Sequence, residues 1–187
     1  MTQLLPVGVP GGICSGLADV ADGSGLVRLG HELIRLDADL YRLWRACAAA
    51  PTEGELVEWA SDEQIAEPGA AIGELTDAGL LIDAQHTGID ALAIGLIGEC
   101  VGNGADHIAR FLVLGRDGSA VDVDPCSFEA LLRCDGVTPM SVLCGELEAA
   151  QPEPRSGVYR SALAAGLPVL IRAGIVRLDQ GGGAWRA

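Results

Sequence analysis

Ile34-Arg35-Leu36-Asp37-Ala38-Asp39-Leu40-Tyr41-Arg42-Leu43-Trp44-Arg45-Ala46-Cys47 and Val121-Asp122-Val123-Asp124-Pro125-Cys126-Ser127-Phe128-Glu129-Ala130-Leu131-Leu132-Arg133-Cys134 carry the same signals in the same order. Each opens as a short alternating strand and stops at an Asp suited to cap a helix. In the first stretch, apolar residues then fall at Leu40, Leu43, Trp44 and Cys47, one face of a helix. Pro125, at the first helical position, strengthens the second start. Asp aligns with Asp, ring with ring and Cys with Cys at one separation, since 124 − 37, 128 − 41 and 134 − 47 all equal 87. A constant offset between otherwise unlike stretches marks an internal repeat.

Downstream the parallel continues. Thr52 and Glu55 form a capping box for a second helix, whose counterpart follows Thr138-Pro139. A third helix is predicted over Glu67 to Gly79. Its end, Leu75-Thr76-Asp77-Ala78-Gly79-Leu80-Leu81, matches Leu170-Ile171-Arg172-Ala173-Gly174-Ile175-Val176, with 170 − 75 and 174 − 79 both equal to 95. In each case Gly closes the helix and a strand follows. The larger offset places an insertion around Ala149 to Gly157, where Pro152 and Pro154 signal a loop. Pro168, inside the third helix of the second copy, is expected to remove a hydrogen bond and kink or divide that helix.

Upstream, three strands are predicted in each copy: Leu17 to Val20, Leu26 to Leu29 and Leu33 to Leu36, then Leu92 to Val101, Ile108 to Leu114 and Ala120 to Val123. Asp22-Gly23, Gly30-His31, Asn103-Gly104 and Asp117-Gly118 supply the turns. A last hairpin is expected from Ile175 to Leu178 and Ala184-Trp185-Arg186. Each half thus reads as three strands, three helices and a strand-like tail, an α+β pattern repeated over residues 1–86 and 87–187, with the boundary near Gln85 to Gly88.

Composition narrows the function. The chain has 187 residues, 49% of them hydrophobic, and a mean hydropathy of +0.32, which excludes wholesale disorder. Its most hydrophobic stretch, Ile89 to Val101, is broken by Gly95, Gly98 and Glu99, so no membrane span is expected. The N-terminus has no basic start and no clear cleavage pattern, and a cytoplasmic location is expected. The net charge of −14 comes from 26 acids against 12 bases, all of them Arg, and such a surface repels nucleic acid. The six cysteines contain no paired motif and read as buried thiols.

No catalytic constellation emerges. His31, His86 and His107 fall near turns without metal-ligand spacing. Cys134 and Cys144 lack a partner His. Asp37 and Asp124 are explained as caps. No catalytic residue, metal or cofactor is therefore assigned.

A helix triplet that ends in Ala-Gly-Leu before a strand is the sequence face of a winged helix. Three strands that run into an Asp-capped helix, together with Leu43-Trp44-Arg45-Ala46-Cys47 and Pro51-Thr52-Glu53-Gly54-Glu55-Leu56, resemble the PqqD-like peptide chaperones of pyrroloquinoline quinone biosynthesis. That fold recurs as the recognition element for precursor peptides of ribosomally made, modified natural products. The resemblance covers about Leu17 to Ile82 and again about Leu92 to Leu178, and implies two tandem winged-helix-like units.

It also implies that a leader peptide adds to the edge of the third strand and leans on the third helix. On this sequence the site would be Leu33, Ile34, Arg35 and Leu36 with Ile72, Leu75 and Thr76. The second copy offers Val121, Asp122 and Val123 with Leu163, Leu167 and Leu170. Arg35 is the best individual candidate, able to steer an acidic leader, and a proline at Ile34 is the natural test. The partner would be a peptide or protein, presented to a biosynthetic enzyme. Two alternatives stand beside this reading. One is a DNA-binding regulator acting through the second unit, where Arg155, Arg160, Arg172 and Arg177 surround the third helix. The other is an acidic adaptor of a larger complex. The strand edges with Tyr41, Trp44 and Trp59 would also allow a homodimer.

Overall fold

The computed structural model describes residues 3–13, 23–102, 110–153 and 156–181. Among these residues the chain is mixed α+β, with six α-helices and several small antiparallel sheets. In the first half β1 (Leu4–Pro6), β2 (Val9–Ile13), β3 (Gly25–Leu29) and β4 (Glu32–Leu36) lead into α1 (Ala38–Ala46), α2 (Glu53–Asp62), α3 (Pro68–Asp77) and β5 (Leu81–Asp83). In the second half β6 (Leu92–Leu96), β7 (Glu99–Gly102), β8 (Phe111–Leu114) and β9 (Ala120–Val123) precede α4 (Pro125–Arg133). Then come β10 (Asp135–Pro139), α5 (Met140–Ala149), α6 (Val158–Arg172) and β11 (Val176–Gln180).

The helix starts follow from local chemistry. Asp37 accepts the Leu40 amide at 2.8 Å, and Asp124 accepts the amides of Cys126 and Ser127 at 2.9 and 3.1 Å. At Thr52 the box is complete, its amide donating to Glu55 at 2.8 Å and the Glu55 amide returning to Thr52 Oγ1 at 3.3 Å. The insertion falls partly in the α5–α6 connection and partly in α6, which has 15 residues where α3 has 10. α6 is not divided at Pro168, since one helix runs from Val158 to Arg172 with the proline inside it. Leu163, Leu167 and Leu170 are fully buried along it. Each such side chain stabilises by about 1.5–3 kcal/mol, enough together to offset the roughly 3 kcal/mol that an interior proline costs.

The strands carry the main corrections. Among the described residues four strands, not three, precede the helices of each half. In the first half they begin at β1 and β2, a segment to which no strand is assigned from the sequence, while Leu17 to Val20 lies outside the described residues. Leu92 to Val101 is two strands, broken at Gly98, where a Cβ would lie 2.2 Å from the Leu114 carbonyl oxygen. β10 was not anticipated. Ile108 and the turn at Asn103-Gly104 lie outside the described residues, as does the outer arm of the last hairpin.

The pairings of the two halves correspond residue for residue. β1 joins β5 as β6 joins β11, with Leu5 opposite Ile82 and Gly95 opposite Arg177. β2 joins β3 as β7 joins β8, and the bulge recurs: Pro10 faces Val27 and Gly12 faces Leu26, while Cys100 faces Val113 and Gly102 faces Leu112. β3 joins β4 as β8 joins β9. Even the short pairing of Gln3 with Thr52 has its partner in Ala93 with Pro139.

One hydrophobic core runs through both halves. Val27, Leu43, Leu56 and Leu75 fill it from the first, Val113, Leu131, Leu147 and Leu163 from the second. Tyr41 and Trp44 stack within it, 4% and 3% exposed, so these rings are not the dimer surface they were expected to provide; Trp59 is half-buried. The halves also meet through polar contacts. The Gly8 amide donates to the Leu178 carbonyl at 2.8 Å, and Arg172 Nε donates to the Ala49 carbonyl at 2.8 Å. The buried carboxylate of Asp179 accepts the Gly30 amide at 2.6 Å, the Gln180 amide at 2.9 Å and Arg28 Nη2 at 2.9 Å. That last set fastens the turn between β3 and β4 onto β11.

Candidate functional site

The residues expected to bind a peptide separate into edge and core. β4 and β9 are each the terminal strand of a three-stranded sheet, and nothing among the described residues pairs with their outer sides. Gly30 and His31 form a two-residue turn between β3 and β4 with Gly30 at φ +58°, the arrangement that has Gly at its first central position. Such a turn closes on a hydrogen-bonded pair, here Leu29 with Glu32, and bonded pairs then alternate along the ladder. Val27 with Ile34 and Gly25 with Leu36 therefore exchange both bonds. The N–H and C=O groups of Leu33 and Arg35 point the other way, to the open edge.

The same geometry holds at β9. The Gly115 amide donates to the Ser119 carbonyl at 2.7 Å, which makes the next bonded pairs Val113 with Val121 and Phe111 with Val123. Ala120 and Asp122 then face outward. They are the positional counterparts of Leu33 and Arg35 in the matching pairings.

Side chains follow the pleat. Leu36 and Val123 turn into the core, and Ile34 and Val121 are half-buried against it. Leu33 is 66% exposed, and Arg35 and Asp122 are exposed. Arg35 makes no hydrogen bond or ion pair among the described residues. The register also corrects the choice of Ile34 as the proline position, because its amide belongs to the ladder with Val27 rather than to the edge.

The helix wall is a further correction. Leu75, Leu163, Leu167 and Leu170 lie in the core, whereas Ile72, 4% exposed, lines with Thr76 a cavity of about 590 Å³ beside α3. The pattern that suggested them, apolar residues at helical spacing, is the pattern of burial itself. Thr76 is exposed, but its hydroxyl donates to the Ile72 carbonyl at 2.9 Å. Sequence reasoning missed a cavity of about 750 Å³ between α1 and α2, lined by Tyr41, Arg42, Arg45, Ala49, Leu56 and Trp59. Its lining residues read as two separate helix faces, and only tertiary packing brings them together.

Three of the thiols are held in the protonated form. Burial pushes the Cys47 thiol up to about 12. Burial, with Cys144, Asp135 and Cys100 nearby, pushes Cys134 to about 12 as well, and burial with Glu148 and Asp90 pushes Cys144 to about 11. At neutral pH all three are protonated, the form that does not attack. Among the described residues no three His, Cys, Asp or Glu side chains gather into a group that could hold a metal ion. No helix among them is long and apolar enough to cross a membrane.

Comparison with known proteins adds no relative: no family model matches the chain, and neither a curated protein nor a solved structure does.

Proposed function

We propose that the chain is a non-catalytic recognition protein made of two winged-helix-like units, which binds an extended peptide by strand addition at β4 and presents it to a partner enzyme, in the manner of the PqqD-like precursor-recognition elements it resembles. One observation carries this reading. β4 offers two outward backbone pairs, at Leu33 and Arg35, on an edge fastened at its turn through Gly30 to Asp179. An edge already fixed in place loses little entropy when a strand adds to it.

The DNA-binding alternative has less to support it. Arg160 Nε grips Asp90 at 2.7 and 2.9 Å, and Arg172 is turned onto Ala49, so two of the four basic residues around α6 are engaged within the protein. Arg155 lies outside the described residues. The adaptor reading would use the same edge for a protein strand.

The test is a proline that removes an outward amide but no ladder bond. Leu33→Pro is expected to weaken binding of a fluorescein-labelled, strand-forming peptide by about tenfold or more in anisotropy titrations, with the far-ultraviolet dichroism unchanged and Leu33→Ala losing far less. Equal affinities for the proline and alanine variants would refute strand addition at β4. Tight binding of a mixed-sequence duplex that collapses with salt would favour DNA instead.

A further inference from the structure

The two open edges are built alike, yet they differ in sign. At matching positions β4 exposes Leu33 and Arg35, while β9 exposes Ala120 and Asp122. Leu33 and Arg35 stand on the same outer face of their sheet, two residues apart, beside half-buried Leu26 and Arg28 on β3. Arg28 is committed to Asp179. On that face, Arg35 is therefore the cation without a carboxylate among the described residues. Across a ladder, residues directly opposite one another interact, with opposite charges favoured and like charges disfavoured.

We infer that the β4 edge selects an extended segment with a carboxylate side chain opposite Arg35 and an apolar side chain two residues away opposite Leu33, and that the β9 edge rejects the same segment. This rests on strand addition at β4 and adds the chemistry of its ligand. Alternation fixes the spacing: moving the acidic residue by one position turns it to the other face of the pleat, away from Arg35. At β9 the segment's carboxylate would face Asp122, and its apolar side chain would meet only the methyl of Ala120.

The chain's net charge of −14 repels any acidic peptide at long range, so simple affinity would mislead and a double-mutant cycle is needed. The probes are two labelled strand-forming peptides of alternating Thr and Val around a central Glu-Thr-Leu or Lys-Thr-Leu. Both are titrated against the full chain and against Arg35→Glu, Asp122→Ala and Leu33→Pro. Attraction in one arm and repulsion in the other are each worth about two- to fivefold at an exposed pair. The Glu-to-Lys preference is therefore expected to invert, from about tenfold in the wild type to about one tenth in Arg35→Glu, and to change by less than about twofold in Asp122→Ala.

A peptide with its Glu moved one place is expected to lose the coupling. Binding that Leu33→Pro abolishes, but with a Glu-to-Lys preference that Arg35→Glu leaves unmoved, overturns the charge selection and spares strand addition. A preference that shifts in Asp122→Ala overturns the assignment to β4. Failure of both peptides to bind, or binding that Leu33→Pro does not touch, overturns strand addition and this inference with it.

Discussion

Asp179 ties the β3–β4 turn of the first half to β11 of the second through a single side chain. Its side chain is 6% exposed and that of Arg28 is 23% exposed. Asp179→Ala takes the carboxylate from Arg28 and leaves the Gly30 and Gln180 amides without their acceptor. Breaking a buried ion pair from one side costs about 3–5 kcal/mol, and each stranded amide about 1–3 kcal/mol. Arg28 keeps its bond to the Gly30 carbonyl and part of its surface in water, which brings the ion-pair share down to about 1–2 kcal/mol and, with about 1 kcal/mol for each amide, the total to about 3–4 kcal/mol. Urea unfolding of the wild type, Arg28→Ala, Asp179→Ala and the double variant would measure it. Removing Arg28 as well relieves the stranded cation, so the double variant should cost less than the sum by at least about 1.5 kcal/mol. Hydrogen exchange supplies the local reading: the Gly30 to Glu32 amides should exchange faster in Asp179→Ala while those of the β8–β9 turn do not. A cost below about 1 kcal/mol, or additive effects, would refute the view that this carboxylate fastens the hairpin.

Two further expectations concern stability. Asp124→Ala should cost about 1–2 kcal/mol at neutral pH, since it removes the cap of α4. Desolvation alone would raise the Asp124 pKa, but the Ser127 hydroxyl with the Ser127 and Cys126 amides brings it below its ordinary value of 3.8. A lowered folded-state pKa means stability that is complete above the unfolded value and lost as pH falls through the folded one. The difference between wild type and variant in urea should therefore be flat at neutral pH and shrink below about pH 4; a difference that grows in acid would contradict it. Gly25→Ala should cost about 2–3 kcal/mol, because the added Cβ would lie 2.2 Å from the Tyr41 ring. Tyr41→Ala in the same chain should recover part of that loss in thermal melts, and strict additivity would exclude the clash as the cause.

What the sequence disclosed was what neighbours in the chain decide. Asp37, Thr52 and Asp124 cap helices through residues two or three positions on, and Gly79 and Gly174 close helices on their own conformational freedom. β4 and β9 were legible for the same reason, as alternation that runs into a cap. β1 and β2 were not, because their glycines and prolines mimic turns and only pairing with β5 and β3 makes them strands. The open strand edges were legible, but the surroundings of α3 and α6 were not, since helical periodicity reports the buried face without saying whether a partner or the core covers it. Neither Asp179 nor its grip on Gly30 left any local trace, for the two residues are 149 apart in the chain.

That grip also gives the second half a role that does not require it to bind anything. In the first half the turn of the β3–β4 hairpin is held by Asp179 from β11. Among the described residues, the corresponding turn of β8 and β9 is tied within its own half, by Ser119 Oγ to the Ala173 carbonyl at 2.8 Å and by Arg116 Nε to the Ile97 carbonyl at 3.4 Å. Among the described residues the bracing of the two turns is thus one-sided: the second half holds the β3–β4 turn, and the first half does not hold the β8–β9 turn. If β4 is the working edge, the second unit can lose its own binding chemistry, as Asp122 in place of an arginine suggests, and still be required for an edge stiff enough to receive a strand. Asp179→Ala should then weaken binding of the Glu-bearing peptide at β4 without changing its preference over the Lys-bearing one. A variant that binds as tightly as the wild type would show that β4 needs no brace.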